Sequence, residues 1–204
     1  MKYLRQYIRG ILLNEGMKTP AMLPDDTVVV IKPVRHYIEI YYGKADDPSS
    51  KSGTDGVGVL GTITIFPTGR RSPDGYFVGL GNCGEAWMVG MAAASDGWGP
   101  LLYDVAIEWA TQNGGGLISD RGAVSVPAQK VWSYYEQNRD DVTAHQLDDL
   151  NNSLTPEEED NCDQGIGRRT VTGLYNTWQD SQLSKRYTKS PTTMKALGKK
   201  LVIL

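Results

Sequence analysis

The hydrophobic pattern of the first eighty residues is that of short strands. Residues 27–32 are a β-branched, apolar run bounded by Asp25-Asp26 and Pro33, and residues 36–42 alternate in part between apolar and polar. Residues 59–66 read as a third strand and residues 76–80 as a shorter one. Between them, residues 45–58 are rich in Asp, Ser, Lys and Gly and read as a loop, while 67–75 is a polar turn carrying Arg70 and Arg71. Ahead of the strands, Leu4, Ile8, Ile11 and Leu12 lie near helical spacing, so residues 3–13 are expected as a short amphipathic helix.

The pattern changes at Glu85. Residues 86–94 are apolar almost throughout, as expected of a central strand covered on both faces, with a buried helix as the rival. The segment 95–100, which contains Gly97, Gly99 and Pro100, breaks it. Leu101, Leu102, Val105, Ala106, Trp109 and Ala110 then share one helical stripe, with Asp104, Glu108 and Gln112 opposite. Three glycines, 114–116, end this helix, and residues 117–120 form a short strand. Ser125 is placed to cap a second helix whose stripe is Ala128, Val131, Trp132 and Tyr135. Farther on, Thr155 to Glu158 has the capping-box form of a helix start. Residues 170–178, 194–197 and 201–204 fit either strand or helix.

Composition narrows the class. With 204 residues, 40% hydrophobic and 22% charged, the chain suits one domain with elaborations, and no apolar run approaches a membrane span. A net charge of −3 argues against a protein that coats nucleic acid. The charge is unevenly spread, however. Residues 140–167 hold nine acidic side chains and no Lys or Arg, whereas 168–204 hold eight basic ones and only Asp180 against them. This division suggests a core over residues 1–140 and a C-terminal extension over 141–204, packed on it, with the two charged stretches lying against each other. Nucleic-acid binding through the basic segment is the less favoured reading. The two cysteines, Cys83 and Cys162, lack metal-ligand spacing, and the default expectation is a reduced, cytoplasmic protein without a membrane segment.

Chemistry enters at the turn between the apolar strand and the first long helix. A helix that starts directly after a buried strand presents unpaired N–H groups and the positive end of its dipole, a setting suited to a pyrophosphate. Gly97 and Gly99 would let that backbone approach closely, and the amides near Gly97, Gly99 and Leu101 would point at the anion, Pro100 having none to give. A glycine pair at such a junction also serves plain packing.

The order of pieces over residues 85–136 resembles the acyl-coenzyme A-binding core of the GNAT acetyltransferase superfamily. The family's turn, Arg/Gln-x-x-Gly-x-Gly/Ala, matches Ala94, Gly97 and Gly99; its later helix, Asn-x-x-Ala-x-x-Leu/Phe-Tyr, matches Ser125, Ala128, Val131 and Trp132. The chain is similar to divergent members of that family, of the kind encoded by bacteriophages. The resemblance implies an α/β (α+β) fold, with a mixed, mostly antiparallel sheet flanked by helices. It also implies transfer of an acetyl group from acetyl-coenzyme A to a primary amine. Ala94, Gly97, Trp98, Gly99 and Leu101 would contact the cofactor. Glu85, at the start of the central strand, would handle the amine proton, with Asp120 ranked after it. Trp132 stands where the family has a tyrosine that protonates the departing thiolate, and Tyr135, one turn on, would replace it. Because Ala94 and Trp132 depart from the family pattern, a GNAT-like fold without catalysis, serving as a binding or virion-associated protein, is the alternative. The acceptor is open: a small amine, a protein amine or a modified nucleotide. His36 and His145 are too isolated for a metal site, the 157–160 acidic run lacks calcium-loop spacing, and Cys83 reads as an ordinary buried cysteine.

Overall fold

The computed structural model describes residues 16–51, 60–69, 79–170 and 177–204. The expected helix at 3–13, most of the strand expected at 76–80, the turn with Arg70 and Arg71 and most of the 170–178 segment lie outside these residues.

Two β-branched, apolar segments separated by Arg35-His36 pair as an antiparallel hairpin, β1 (Thr27–Val34) and β2 (Tyr37–Lys44). β3 (Gly61–Pro67) adds to β2 and β4 (Trp87–Ala94) adds to β3, both antiparallel. The chain then crosses through helix α1 (Gly99–Asn113) to β5 (Leu117–Ile118), which lies parallel to β4. Such a parallel neighbour needs a crossover connection, and α1 provides it. Helix α2 (Val126–Asn138) follows, its N-terminus capped by the Ser125 hydroxyl, which accepts from the Ala128 amide.

The remaining elements are β6 (Val142–Gln146), the short pair β7 (Asp148–Asp149) and β8 (Asn161–Cys162), helix α3 (Gly165–Thr170), β9 (Lys185–Lys189), helix α4 (Thr192–Leu197) and β10 (Leu201–Ile203). The main sheet has eight strands in the order β10-β1-β2-β3-β4-β5-β9-β6, and only β1–β10 and β4–β5 are parallel. The fold is thus mixed α/β with a mostly antiparallel sheet.

Residues beyond 140 do not form an appendage. They supply β6, β9 and β10, on both flanks of the same sheet. The two charged stretches meet, as their opposite signs favour: Arg168 pairs with Asp149 at 2.6 Å and Lys189 lies 3.4 Å from Asp141. No helix among the described residues is long and apolar enough to cross a membrane.

One face of the sheet carries the main core. Val29, Ile31, Ile40, Ile63 and Ile65 pack beneath Leu101, Leu102, Val105 and Ala106 of α1. The polar face expected for α1 is covered in part, at Glu108, while Gln112 stays exposed. Glu108 is fully buried, because β9 and α4 close over that side and bring Lys189 to it. The helix start expected at Thr155 is absent; the Asp148 carboxylate instead accepts from the Leu154 and Thr155 amides, both at 2.7 Å, and holds the segment as a turn.

Cys83 and Cys162 are bonded as a disulfide across 79 residues, correcting the expectation of reduced thiols. The bridge ties β8 to the turn that precedes β4. Reducing it frees a long loop in the unfolded chain and should lower stability by about 2–4 kcal/mol. A melting temperature unchanged by a phosphine reductant, with both thiols shown free, would contradict this.

Candidate functional site

The site is a groove created by the way β4 leaves its neighbour. β4 pairs with β5 only at Trp87–Leu117 and Met88–Ile118. On its other side the register with β3 slips, Thr64 facing Met91 and Ile65 facing Val89, so that Gly90 is an extra bulge residue. A bulge bends its strand, and here it sits where β4 and β5 diverge. From Gly90 to Ala94 the strand is exposed, not covered on both faces as its apolar sequence suggests. Small side chains at Gly90, Ala92, Ala93 and Ala94 leave the space open, and beyond Met88 this edge of β4 has no strand partner among the described residues.

Two cavities of about 240 and 220 Å³ follow this edge. The first runs from Ala92 to the turn at Asp96, Gly97 and Gly99; the second runs from Val89 to Asp120 and Ala123. They share Ala92, Tyr103, Ser125 and Ala128, so they adjoin, and together they make up the channel. Each is small for a ligand pocket; joined, they suit an extended ligand.

At the first end, α1 begins. Its early N–H groups lack intrahelical acceptors, and those of Gly99 and Leu101 flank Pro100. Gly99 borders the open channel, where a Cβ would meet only the Ala94 Cβ, at 3.7 Å. Gly97 has a different cause. Its φ is +81°, and a Cβ there would fall 1.9 Å from the Gly16 carbonyl oxygen. The N-terminal segment lies across it, with the Lys18 amide donating to the Gly97 carbonyl at 2.9 Å. Glycine at 97 is therefore required by packing and backbone conformation, although Gly97 still borders the cavity. Among the described residues no Lys or Arg lines either cavity, and Asp96 places a carboxylate beside the turn.

Several residues expected at the site lie elsewhere. Trp98 packs inward, its ring edge-on to Tyr42 at 5.3 Å and its carbonyl accepting from the Tyr42 hydroxyl at 2.8 Å. The Leu101 side chain is core, leaving only its amide for a ligand. Ala94 does line the channel. Glu85 does not start the strand: it lies in a turn two residues ahead of β4, with φ +54°, and β4 runs away from it toward the groove. Its carbonyl accepts from the Gly115 amide at 3.0 Å, which places it beside the C-terminal end of α1. Tyr135 is turned into the protein. Its hydroxyl sits 2.9 Å from Asp104 Oδ1 and 3.0 Å from the Pro100 carbonyl, with one proton to share, and burial raises its pKa well above the usual phenol value. Neither Glu85 nor Tyr135 borders the groove.

Two other groups do. Asp120 follows β5 and lines the second cavity. Its Oδ1 accepts from the amides of Gly122 at 2.5 Å and Ala123 at 3.2 Å, while Oδ2 has no hydrogen-bond partner among the described residues. The adjacent Arg121 does not pair with it. Arg121 is buried and donates to the carbonyls of Ser119, Leu183 and Asp163, fixing the chain at this point; burial lowers its pKa to about 10. Tyr103, on α1, lines both cavities and was missed by the helical pattern because it falls off the apolar stripe. The signal was its spacing: four residues after Gly99, it shares that residue's helix face.

Comparison with protein-family models, curated proteins and solved structures finds no significant match.

Proposed function

We propose that the channel along β4 binds acetyl-coenzyme A and that the protein is a GNAT-like acyltransferase acting on a primary amine. The observation that carries this reading is the parting of β4 from β5 with a helix N-terminus at its far end. An extended ligand with amide groups can hydrogen-bond to the free edge of β4 as an added strand would. Its anionic end then meets the Gly99 and Leu101 amides and the positive end of α1. At the opposite end, Asp120 is the carboxylate that would hold an incoming amine, in place of Glu85. The four antiparallel strands followed by the parallel β5 are compatible with a GNAT-like arrangement.

A second reading has its own support. Asp96 beside the turn, with no basic side chain in the lining among the described residues, weakens the site for a pyrophosphate, and a protein that binds without catalysis would tolerate this. Calorimetric titration with acetyl-coenzyme A, paired with thiol release over a panel of primary amines, separates the two readings. The enzyme reading expects binding and amine-dependent release. Binding without release favours the inactive protein, and no heat at millimolar ligand rejects the cofactor assignment.

A further inference from the structure

We propose that the Cys83–Cys162 disulfide is a redox clamp on the groove. Oxidised, it holds β4 and β5 together where they part; its reduction by a dithiol loosens that junction and weakens ligand binding. The inference concerns the groove itself and holds for any ligand, acyl-coenzyme A included.

The bridge lies at the closed end of the groove. Met88 and Ile118 are the last β4–β5 pair before the strands diverge. Both side chains are buried in a small core of their own, with Cys83, Ala86, Leu147 and Cys162. The disulfide is thus part of the packing that closes the two strands. The turn it anchors has an unusual backbone. Cys83, Gly84 and Glu85 have φ of +49°, +62° and +54°, and Cys83 and Glu85 are the only non-glycine residues with positive φ among the described residues. Side chains enter this region at a cost and stay there where their surroundings hold them.

Besides the S–S bond, hydrogen bonds tie this segment to the one around β8. The Gly84 amide donates to the Glu159 carbonyl at 2.6 Å, and the Asp163 amide donates to the Leu80 carbonyl at 2.8 Å. Glu159 is exposed and Asp163 half-buried, and hydrogen bonds that water can replace add little net stability. The covalent link is therefore the dominant tie. Ala86 leads straight into β4, so a turn released at Cys83 acts directly on Trp87 and Met88.

Both cysteines are buried, but the residues flanking them, Asn82, Gly84, Asn161 and Asp163, are half-buried. Local opening of the turn admits a small reductant. A dithiol attacks one sulfur as its thiolate, the S–S bond breaks, and the second thiol resolves the mixed disulfide. Two electrons pass to the protein, each cysteine sulfur gains a proton, and the dithiol leaves as its own disulfide.

The test compares the oxidised full chain with the same protein reduced by a phosphine, which spares thioesters, below its melting temperature and with both thiols counted free. In hydrogen exchange, peptides covering residues 80–88 and 117–119 should exchange about tenfold faster after reduction, while those of β1 and β2 stay within about twofold. Acetyl-coenzyme A, as the probe of the groove, should bind about tenfold more weakly. Cys83→Ser combined with Cys162→Ser should behave as the reduced protein and ignore the phosphine; if that variant fails to fold, the reduced wild type decides. Any of four results overturns the clamp: a bridge that the phosphine does not cleave in the folded protein, free thiols with unchanged exchange at the junction, acceleration spread equally over β1 and β2, or a faster junction with unchanged affinity. If the oxidised protein binds no acetyl-coenzyme A, the cofactor assignment falls and the exchange comparison alone decides the clamp.

Discussion

Replacing Lys189 with methionine should destabilise the protein by about 3–5 kcal/mol, the largest single-site effect expected on its stability. Lys189 and Glu108 are in direct contact and both side chains are fully buried. The lysine ammonium also donates to the hydroxyls of Thr192 at 2.6 Å and Thr193 at 2.9 Å. Glu108 in turn accepts from the amides of Thr193 and Met194, both at 2.7 Å, and so caps α4. α1 and the consecutive elements β9 and α4, more than 70 residues on, meet at this pair. Removing the cation leaves a carboxylate in a site that water does not reach, and the remaining amides do not neutralise it. For a chain of this size the loss corresponds to a fall of about 6–20 °C in melting temperature. Adding Glu108→Gln to Lys189→Met removes the stranded charge while keeping one acceptor for the α4 amides. The double variant should melt above the single one. A double variant that is less stable than Lys189→Met would show that the carboxylate is not the source of the penalty.

Gly99→Trp should abolish acetyl-coenzyme A binding, to below detection at millimolar ligand, with little effect on folding. At this position φ lies outside the left-handed region, and a Cβ makes only an ordinary contact with Ala94. Gly99→Ala should therefore bind as wild type. An indole at the same place projects into the first cavity, over the amides assigned to the anion. The comparison isolates the channel from the turn itself. Gly97 would be a poor choice for this test, because any side chain there collides with the Gly16 carbonyl and confuses binding with folding. Full affinity in Gly99→Trp would mean that the ligand, if bound, sits away from α1.

Local pattern alone determined the elements that lie along the chain with one clear period. The β-branched runs gave β1 to β3, the apolar stripe and flanking glycines gave α1, and Ser125 gave the start of α2, because propensity and capping act over a few residues. The short strands β6 and β9 carry no such signature; Arg186, Tyr187 and Thr188 become strand only because β5 and β6 accept them on either side. Glu108 fitted a solvent face until Lys189, 81 residues away, supplied its counter-charge. The candidate site divides in the same manner. The Gly97-Trp98-Gly99 turn was legible as a strand–helix junction, but its individual roles were not. Gly97 answers to packing, Trp98 to the core beneath Tyr42, and only Gly99 to the open channel. That Tyr103 rather than Tyr135 borders the channel depends on which side of each helix faces the gap between β4 and β5. Sequence spacing assigns two residues to one face; the tertiary structure decides what that face meets, because the bulge at Gly90 and the parting of the two strands arise from long-range pairing.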